Sequence, residues 1–405
     1  MTNEIKKQNL NEEDDQELIE KISGIIGNKA LVINCGQGGS RLGSAISLKF
    51  KTTDSSIYIN TSMKDITGIG ALNNKRVIKL GDNRVEGAGK DRTKGNEMLT
   101  ESKEIVFNEI RNYLLETAYD FVFVVFSTSG GTGGGIGPKI TALVNSDPML
   151  NPVKEKYGYT PIVFGIAALP EICSEEGNIS YKNTLLCLND IKKFVINETG
   201  RYILVNNGFD IVNQRGQNRV SKLDSVNASV ATVIYRYFTE YGISRISNYD
   251  RADRIGALST MGLHSFLVLD GNGNRTAQLN PFFIPDGERV KRVCYEVPEN
   301  MEKTVSSQIA QTGVISDDQI HGLYDLEEKE NSGLIPVIGF HGFKNIDKIS
   351  EQYEKRIKLN EENARRIEES NILSSTGLDS IDEIVEQNEK EYGSHGAKSI
   401  DDIFD

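Results

Sequence analysis

Residues 126–138 read "FSTSGGTGGGIGP": six glycines, four hydroxyl side chains and no basic residue, directly after the apolar run "FVFVV". A strand that feeds a glycine-rich turn and then a helix is a common way to hold phosphate, because unpaired N–H groups and the positive helix end both face the anion. Glycine suits this place since a Cβ would keep the backbone away from the phosphate oxygens. Thr132 can add a hydroxyl donor. Pro138 is expected in the first turn of the helix that follows, which carries Ile140, Leu143 and Val144 on one face. A flexible linker does not fit between a buried strand and an amphipathic helix. Two more glycine-rich stretches, "NCGQGGSRLG" (34–43) and "GAGKDRTKG" (87–95), add to the pattern. A different chemistry is suggested by "NYDRAD" (248–253), where Asp250 and Asp253 stand at i and i+3. On one face of a helical turn, two such carboxylates can orient and polarise a water. Alone, the hexapeptide also reads as a charged helix start.

Several phosphate binders are possible in principle, and the motifs separate them. No GxxxxGK[ST] with its phosphate lysine is present, and no N-K-x-D base-reading motif. A dinucleotide fold built on residues 34–43, and with it an NAD-dependent oxidoreductase, would need an acidic residue at the end of the second strand. Asp54 instead precedes that strand, and "GGTGGGIG" (130–137) would be left without a role.

The elements that must position these residues follow from hydrophobic periodicity. Strand-length apolar runs occur at 30–34, 56–60, 76–80, 121–126, 161–167 and 202–206, alternating with stretches of helical period such as Leu99, Val106, Ile110 and Leu114. The expected fold is α/β, a Rossmann-like domain on a parallel sheet. From 220 to 241, apolar residues recur every three or four positions without a breaker, which predicts a central helix of roughly 33 Å. Shorter strands at 265–271, 289–297 and 333–342, with a helix between them, predict a smaller α+β second domain. A last helix near 345–369 has Ile346, Ile349, Tyr353, Ile357 and Ile367 on one side and is expected to dock through them. The expected division is an extension at 1–28 with a short helix at 16–26, a nucleotide domain at 29–217, the central helix at 218–243, the second domain at 244–343, the last helix at 344–370 and a tail at 371–405. That tail holds nine acidic and two basic residues and repeats "SIDEI" (380–384) as "SIDDI" (399–403), either a docking motif or chance in a biased composition.

A net charge of −12 disfavours direct binding to nucleic acid or an anionic membrane. No apolar run approaches membrane-span length, so a cytoplasmic location is expected. Cys35, Cys173, Cys187 and Cys294 form no CxxC and are expected to be reduced core thiols.

"GGTGGGIG" resembles the G-G-T-G-x-G-x-G signature of the tubulin/FtsZ superfamily of polymerising GTPases, and "CGQGGSRLG" resembles the first phosphate loop of tubulin. The resemblance extends from about residue 30 to 369. It departs at Ser129, where the family has glycine, which is tolerable at negative φ. It implies that Gly36, Gln37, Gly38 and Gly39 meet the α- and β-phosphates of GTP or GDP. Ala88, Gly89 and Lys90 would meet the γ-phosphate side, and Ser129, Gly130, Gly131, Thr132, Gly133 and Gly134 the phosphate centre. Asn227 on the central helix would read the guanine and Leu223 would cover its ring. Glu176 would approach the ribose, and Asn206 or Asn207 matches the asparagine after the sixth strand. Ser62 stands where the family's "NTD" has aspartate, which leaves a metal contact there open. Mg2+ is implied as a companion of the triphosphate, with no all-protein cage visible.

"NYDRAD" matches N-x-D-x-x-D, the loop that one FtsZ-type subunit inserts into the next subunit's nucleotide site, with Asn248, Asp250 and Asp253 as its members. A site split in this way implies head-to-tail filaments and hydrolysis on contact. The leader, final helix and acidic tail are similar to the plasmid and phage members, TubZ and PhuZ. This implies segregation or positioning of plasmid or phage DNA, reached through an adaptor on the tail rather than directly. An FtsZ-like division protein and a nucleotide-binding structural subunit without turnover stay open as alternatives.

Overall fold

The computed structural model describes residues 29–67, 76–82, 86–172, 177–207, 219–239, 246–247, 251–270, 272–276, 280–324 and 336–375. The expected helix at 16–26, Cys173, Glu176, Asn248, Asp250 and the acidic tail from 376 onward lie outside the described residues. By compactness the chain divides into Met1–Glu354 and Lys355–Asp405.

Among the described residues, the first unit is built on one eleven-stranded sheet. Its strands are β1 (Ala30–Cys35), β2 (Ile57–Asn60), β3 (Arg76–Lys79), β4 (Phe121–Ser127), β5 (Ile162–Leu169), β6 (Arg201–Asn206), β7 (Ile246–Ser247), β8 (Gly262–Val268), β9 (Arg289–Pro298), β10 (Ile315–Tyr324) and β11 (Val337–Phe343). Their spatial order is β3-β2-β1-β4-β5-β6-β8-β11-β9-β10-β7. The first six strands are parallel, and β8 joins β6 in parallel at Arg201↔Gly262. Beyond it the pairing turns antiparallel at β8–β11 and β11–β9. Strands β1, β4 and β5 are buried on both faces, which is why they read as nearly unbroken apolar runs. The strand "ISDDQIHGLY" was not expected from the sequence, because its alternation is broken by Asp317, Asp318 and Gly322; it pairs in parallel with β9 over nine residues.

The helices are α1 (Gly36–Phe50), α2 (Met63–Thr67), α3 (Arg92–Glu101), α4 (Lys103–Glu116), α5 (Gly131–Val144), α6 (Asp147–Tyr157), α7 (Asn178–Ile196), α8 (Arg219–Thr239), α9 (Arg251–Leu258), α10 (Glu302–Gln311) and α11 (Asp347–Ser375). The central helix of the sequence reading is α8. Val226, Val230, Val233, Ile234, Tyr237 and Phe238 are buried in a core shared with β1, β4, β5 and β8. Phe238 meets Phe121, Phe123 and Phe164 edge-on at centroid distances of 5.0–5.3 Å, aromatic contacts worth about 0.5–1.5 kcal/mol each beyond their buried area.

One expectation is corrected at α5. The helix begins at Gly131, inside the glycine run, so Pro138 is its eighth residue and not part of its first turn. Proline there has no N–H for the Gly134 carbonyl, and Arg92 Nε supplies the missing donor at 2.8 Å.

In the first unit, Ile346 just before α11 and Ile349 and Tyr353 at its start are buried, and the Tyr353 hydroxyl donates to Pro170 O at 2.8 Å. In the second unit the helix continues to Ser375 with residues 362–369 all exposed, Ile367 among them, so the apolar side expected there does not reach that far. The charge-dense sequence "NEENARRIEES" accounts for it. Cys35, Cys187 and Cys294 are free and buried, as expected of core thiols, and burial pushes Cys187 and Cys294 up to about 12.

Candidate functional site

The sheet order reverses between β1 and β4: the chain leaves β1 toward β2 and β3 on one side, while β4, β5 and β6 extend on the other. In open parallel sheets the crevice at the carboxyl ends of two such strands is where ligands bind. Here β1 runs into α1 and β4 into α5, and neither helix start has a side-chain cap. By contrast, α3 is capped by Asp91, which accepts from Thr93 N at 2.8 Å and Lys94 N at 3.2 Å. Two uncapped helix starts therefore face one cavity of about 380 Å3, lined by Gly36, Gln37 and Gly38 from α1 and by Gly131, Thr132 and Gly133 from α5. Such ends hold free N–H groups and partial positive charge, the chemistry of an anion site.

The glycines divide by what surrounds them. A Cβ at Gly130 or Gly89 would meet nothing within 4 Å, so these open backbone positions face the hollow. Gly39 and Gly134 do not line it; a Cβ there would strike Val125 O or Thr128 O, so they let α1 and α5 pack onto β4 and its following turn. Gly36, at φ 71°, brings the first loop against Gly133 N. Ser129 is not among the residues with positive φ, as the sequence reading required, and its hydroxyl lies 3.2 Å from that of Ser127.

The third wall is the loop carrying Gly87, Ala88, Gly89 and Lys90. Lys90 takes φ 61°, a left-handed conformation that costs a non-glycine residue roughly 1–2 kcal/mol. Asn183 on α7 holds it there, its Nδ2 donating to Lys90 O at 2.8 Å and to Ser129 O at 3.2 Å, so one amide ties two walls together. Lys90 Nζ donates to Ser180 Oγ at 3.2 Å, and Thr61 meets Thr132 hydroxyl to hydroxyl at 2.7 Å.

Leu223 and Asn227 of α8 close another side. Asn227 is 8% exposed, buried on the cavity wall. Asn207 lines the cavity, and its Oδ1 is buried with no hydrogen-bond partner among the described residues. An orphaned acceptor costs about 1–3 kcal/mol unless a ligand donates to it. Asn206 is not on the wall; its N–H donates to Pro281 O at 2.7 Å. Asp253 lies in the first turn of α9, partly exposed and off the wall of this cavity.

Three charged residues on the wall escaped the sequence reading: Arg41, Asp65 and Glu171. Burial raises the Asp65 carboxyl above its ordinary value, the Asn60 amide lowers it in part, and Glu86 raises it further. Asp65 comes three residues after Ser62, on α2. Among the described residues no group of three His, Cys, Asp or Glu could hold a metal ion. The walls thus fit a magnesium ion only as a guest of bound phosphate, with Asp65 as an acid beside it.

The family model "Tubulin/FtsZ family, GTPase domain" matches residues 29–207. The tubulin-like protein CetZ of Methanothrix thermoacetophila is 30% identical over 195 residues, 48% of this chain and 47% of that protein. The tubulin-like protein TubZ of Clostridium botulinum C phage is 26% identical over 236 residues, 58% of this chain and 57% of that one. The matched region spans about half the length of these relatives. In three dimensions CetZ2 from Haloferax volcanii, solved as a GTPγS-bound protofilament, is similar with a TM-score of 0.58 at 16% identity, over 82% of this chain and 99% of that one. That likeness concerns the fold. Glycine motifs, strand order at the cavity and family match agree: residues 29–207 are similar to the GTPase domain of the tubulin/FtsZ family.

Proposed function

We propose that the cavity binds GTP, and that Asp250 and Asp253 of an adjoining copy trigger its hydrolysis, so that the chain assembles head to tail into a filament that turns over. The observation that carries the reading is the convergence of two uncapped helix starts on one hollow that also holds Asn207 and Asn227. Main-chain amides of Gly36–Gly38 and Gly131–Gly133 suit the phosphates, and the two asparagines suit the donor and acceptor edges of a base or sugar. Asp253 lies off the cavity wall of its own chain, which supports a role toward a neighbour. Mg2+, when bound, would neutralise phosphate charge; the backbone of the Gly87–Lys90 loop would hold the triphosphate end, and Asp65 on the same wall would give the ion an acidic partner. Phosphoryl transfer then depends on positioning and on the water-polarising acids. CetZ2 forms a GTPγS-bound protofilament, which supports the filament reading.

The cellular role this reading favours is segregation or positioning of plasmid or phage DNA through an adaptor held by the acidic tail, in the cytoplasm. The phage TubZ supports it, while the similarity to CetZ supports only the filament. No helix among the described residues is long and apolar enough to cross a membrane.

A pelleting and phosphate-release assay with GTP, GDP and a slowly hydrolysed analogue tests the reading. GTP drives sedimentation, and Asp250→Ala or Asp253→Ala gives persistent polymers that release at least tenfold less phosphate. A chain that neither binds GTP nor sediments with it sinks the proposal, and an analogue polymer no longer-lived than the GTP polymer sinks its hydrolytic half.

A further inference from the structure

Away from the cavity, buried polar groups close into one ring around α9. Tyr237 stands on α8, three turns beyond the cavity residue Asn227, and its hydroxyl lies 2.6 Å from His341 Nε2 on β11. His341 Nδ1 is 2.8 Å from His264 Nδ1 on β8, and His264 Nε2 is 2.8 Å from Thr260 O, just past the end of α9. Arg254, on α9 beside Asp253, returns to the start: its NH1 donates to Tyr237 O at 2.6 Å, and its guanidinium carbon lies 4.7 Å from the Tyr237 ring centre. Tyr237, His264, His341 and Arg254 are all buried.

The protons have one consistent arrangement. Thr260 O only accepts, so His264 Nε2 carries the hydrogen and its Nδ1 accepts. His341 Nδ1 must then donate, which leaves His341 Nε2 to accept from the Tyr237 hydroxyl. With both imidazoles neutral, every link of this chain is satisfied. Burial holds them so, together with Arg254 and Arg292 near His341 and Arg201 near His264. Such a chain is polarised along its length.

We infer that Tyr237, His341 and His264 are positioning residues for hydrolysis: their ring fixes α9, and with it Asp253, to the helix whose other end lines the nucleotide cavity. The inference rests on the reading that the α9 acids act on the nucleotide of a neighbouring copy. None of the three touches the cavity, so they act on the rate and not on nucleotide holding. Small misplacements of a catalytic group are enough for that.

The test measures GTP affinity, sedimentation and phosphate release per sedimented subunit for the full chain carrying Tyr237→Phe. Release falls about fivefold while KM for GTP and the sedimented fraction stay as in the parent. In an Asp253→Asn background, read over long incubations, Tyr237→Phe adds no further loss. Parent-like release from Tyr237→Phe overturns the inference. So does a parallel loss of GTP affinity, or the same fivefold loss on top of Asp253→Asn. If circular dichroism shows that Tyr237→Phe does not fold, Arg254→Lys, which breaks the same ring at its guanidinium, carries the same expectations. Normal release from Asp253→Asn alone would remove the acidic-helix reading and this inference with it, whereas loss there beside normal Tyr237→Phe removes this inference only.

Discussion

Gly130 and Gly39 differ in what one added methyl group would meet. At Gly130 it enters open space, so Gly130→Ala is expected to fold with an unchanged urea midpoint while, on the proposed reading of the hollow as a GTP site, weakening GTP binding about tenfold by taking room a phosphate oxygen would use. At Gly39 it runs into Val125 O and lies 2.9 Å from Phe126 Cα, so Gly39→Ala is expected to lose about 1–3 kcal/mol of stability as the helix is pushed off β4. Equal midpoints for the two variants in urea titrations would contradict this division. The sequence showed that glycines cluster after strands, but not which of them pack and which face the hollow. That depends on where β4 and the turn after it come to lie. Asn183 was equally invisible, since the Lys90 carbonyl it holds is 93 residues away and an asparagine inside a helix gives no local sign of its partner.

Elements were legible where a single force dominated. The apolar runs of β1, β4 and β5 and the periodic stripe of α8 came through because burial alone sets them. The start of α5 did not, since Gly131, Gly133, Gly134 and Gly135 are poor helix formers and it is tertiary packing that makes them helical. That helix also depends on Arg92, which satisfies the Gly134 carbonyl left open by Pro138 and pairs with Asp190 on α7. Arg92→Ala is expected to destabilise the chain by about 1–3 kcal/mol through the orphaned carbonyl. Asp190→Asn, which keeps the Gly134 contact, costs less; a larger effect from Asp190→Asn in urea titrations would show the ion pair to be the stronger half.

At the scale of the whole molecule, the two buried histidines tie stability to acidity. His264 is pushed down to about 3 by burial and His341 lies well below its ordinary value, while in the unfolded chain both titrate near 6.5. Their contribution is complete above about pH 6.5. As the pH falls below that, the unfolded chain takes up protons that the fold refuses, and each histidine costs about 1.4 kcal/mol per pH unit. Urea midpoints are therefore expected to fall steeply between pH 6.5 and 5, and a His264→Gln, His341→Gln double variant should flatten that decline. An unchanged slope in the double variant would place the acid sensitivity elsewhere.

The hollow between β1 and β4 offers mostly peptide groups, which every residue carries alike. Side chains around it are then free to vary without changing what the walls present. A protein 16% identical shares the fold, and in this chain the positions with least freedom are those where a bulky residue could not pass.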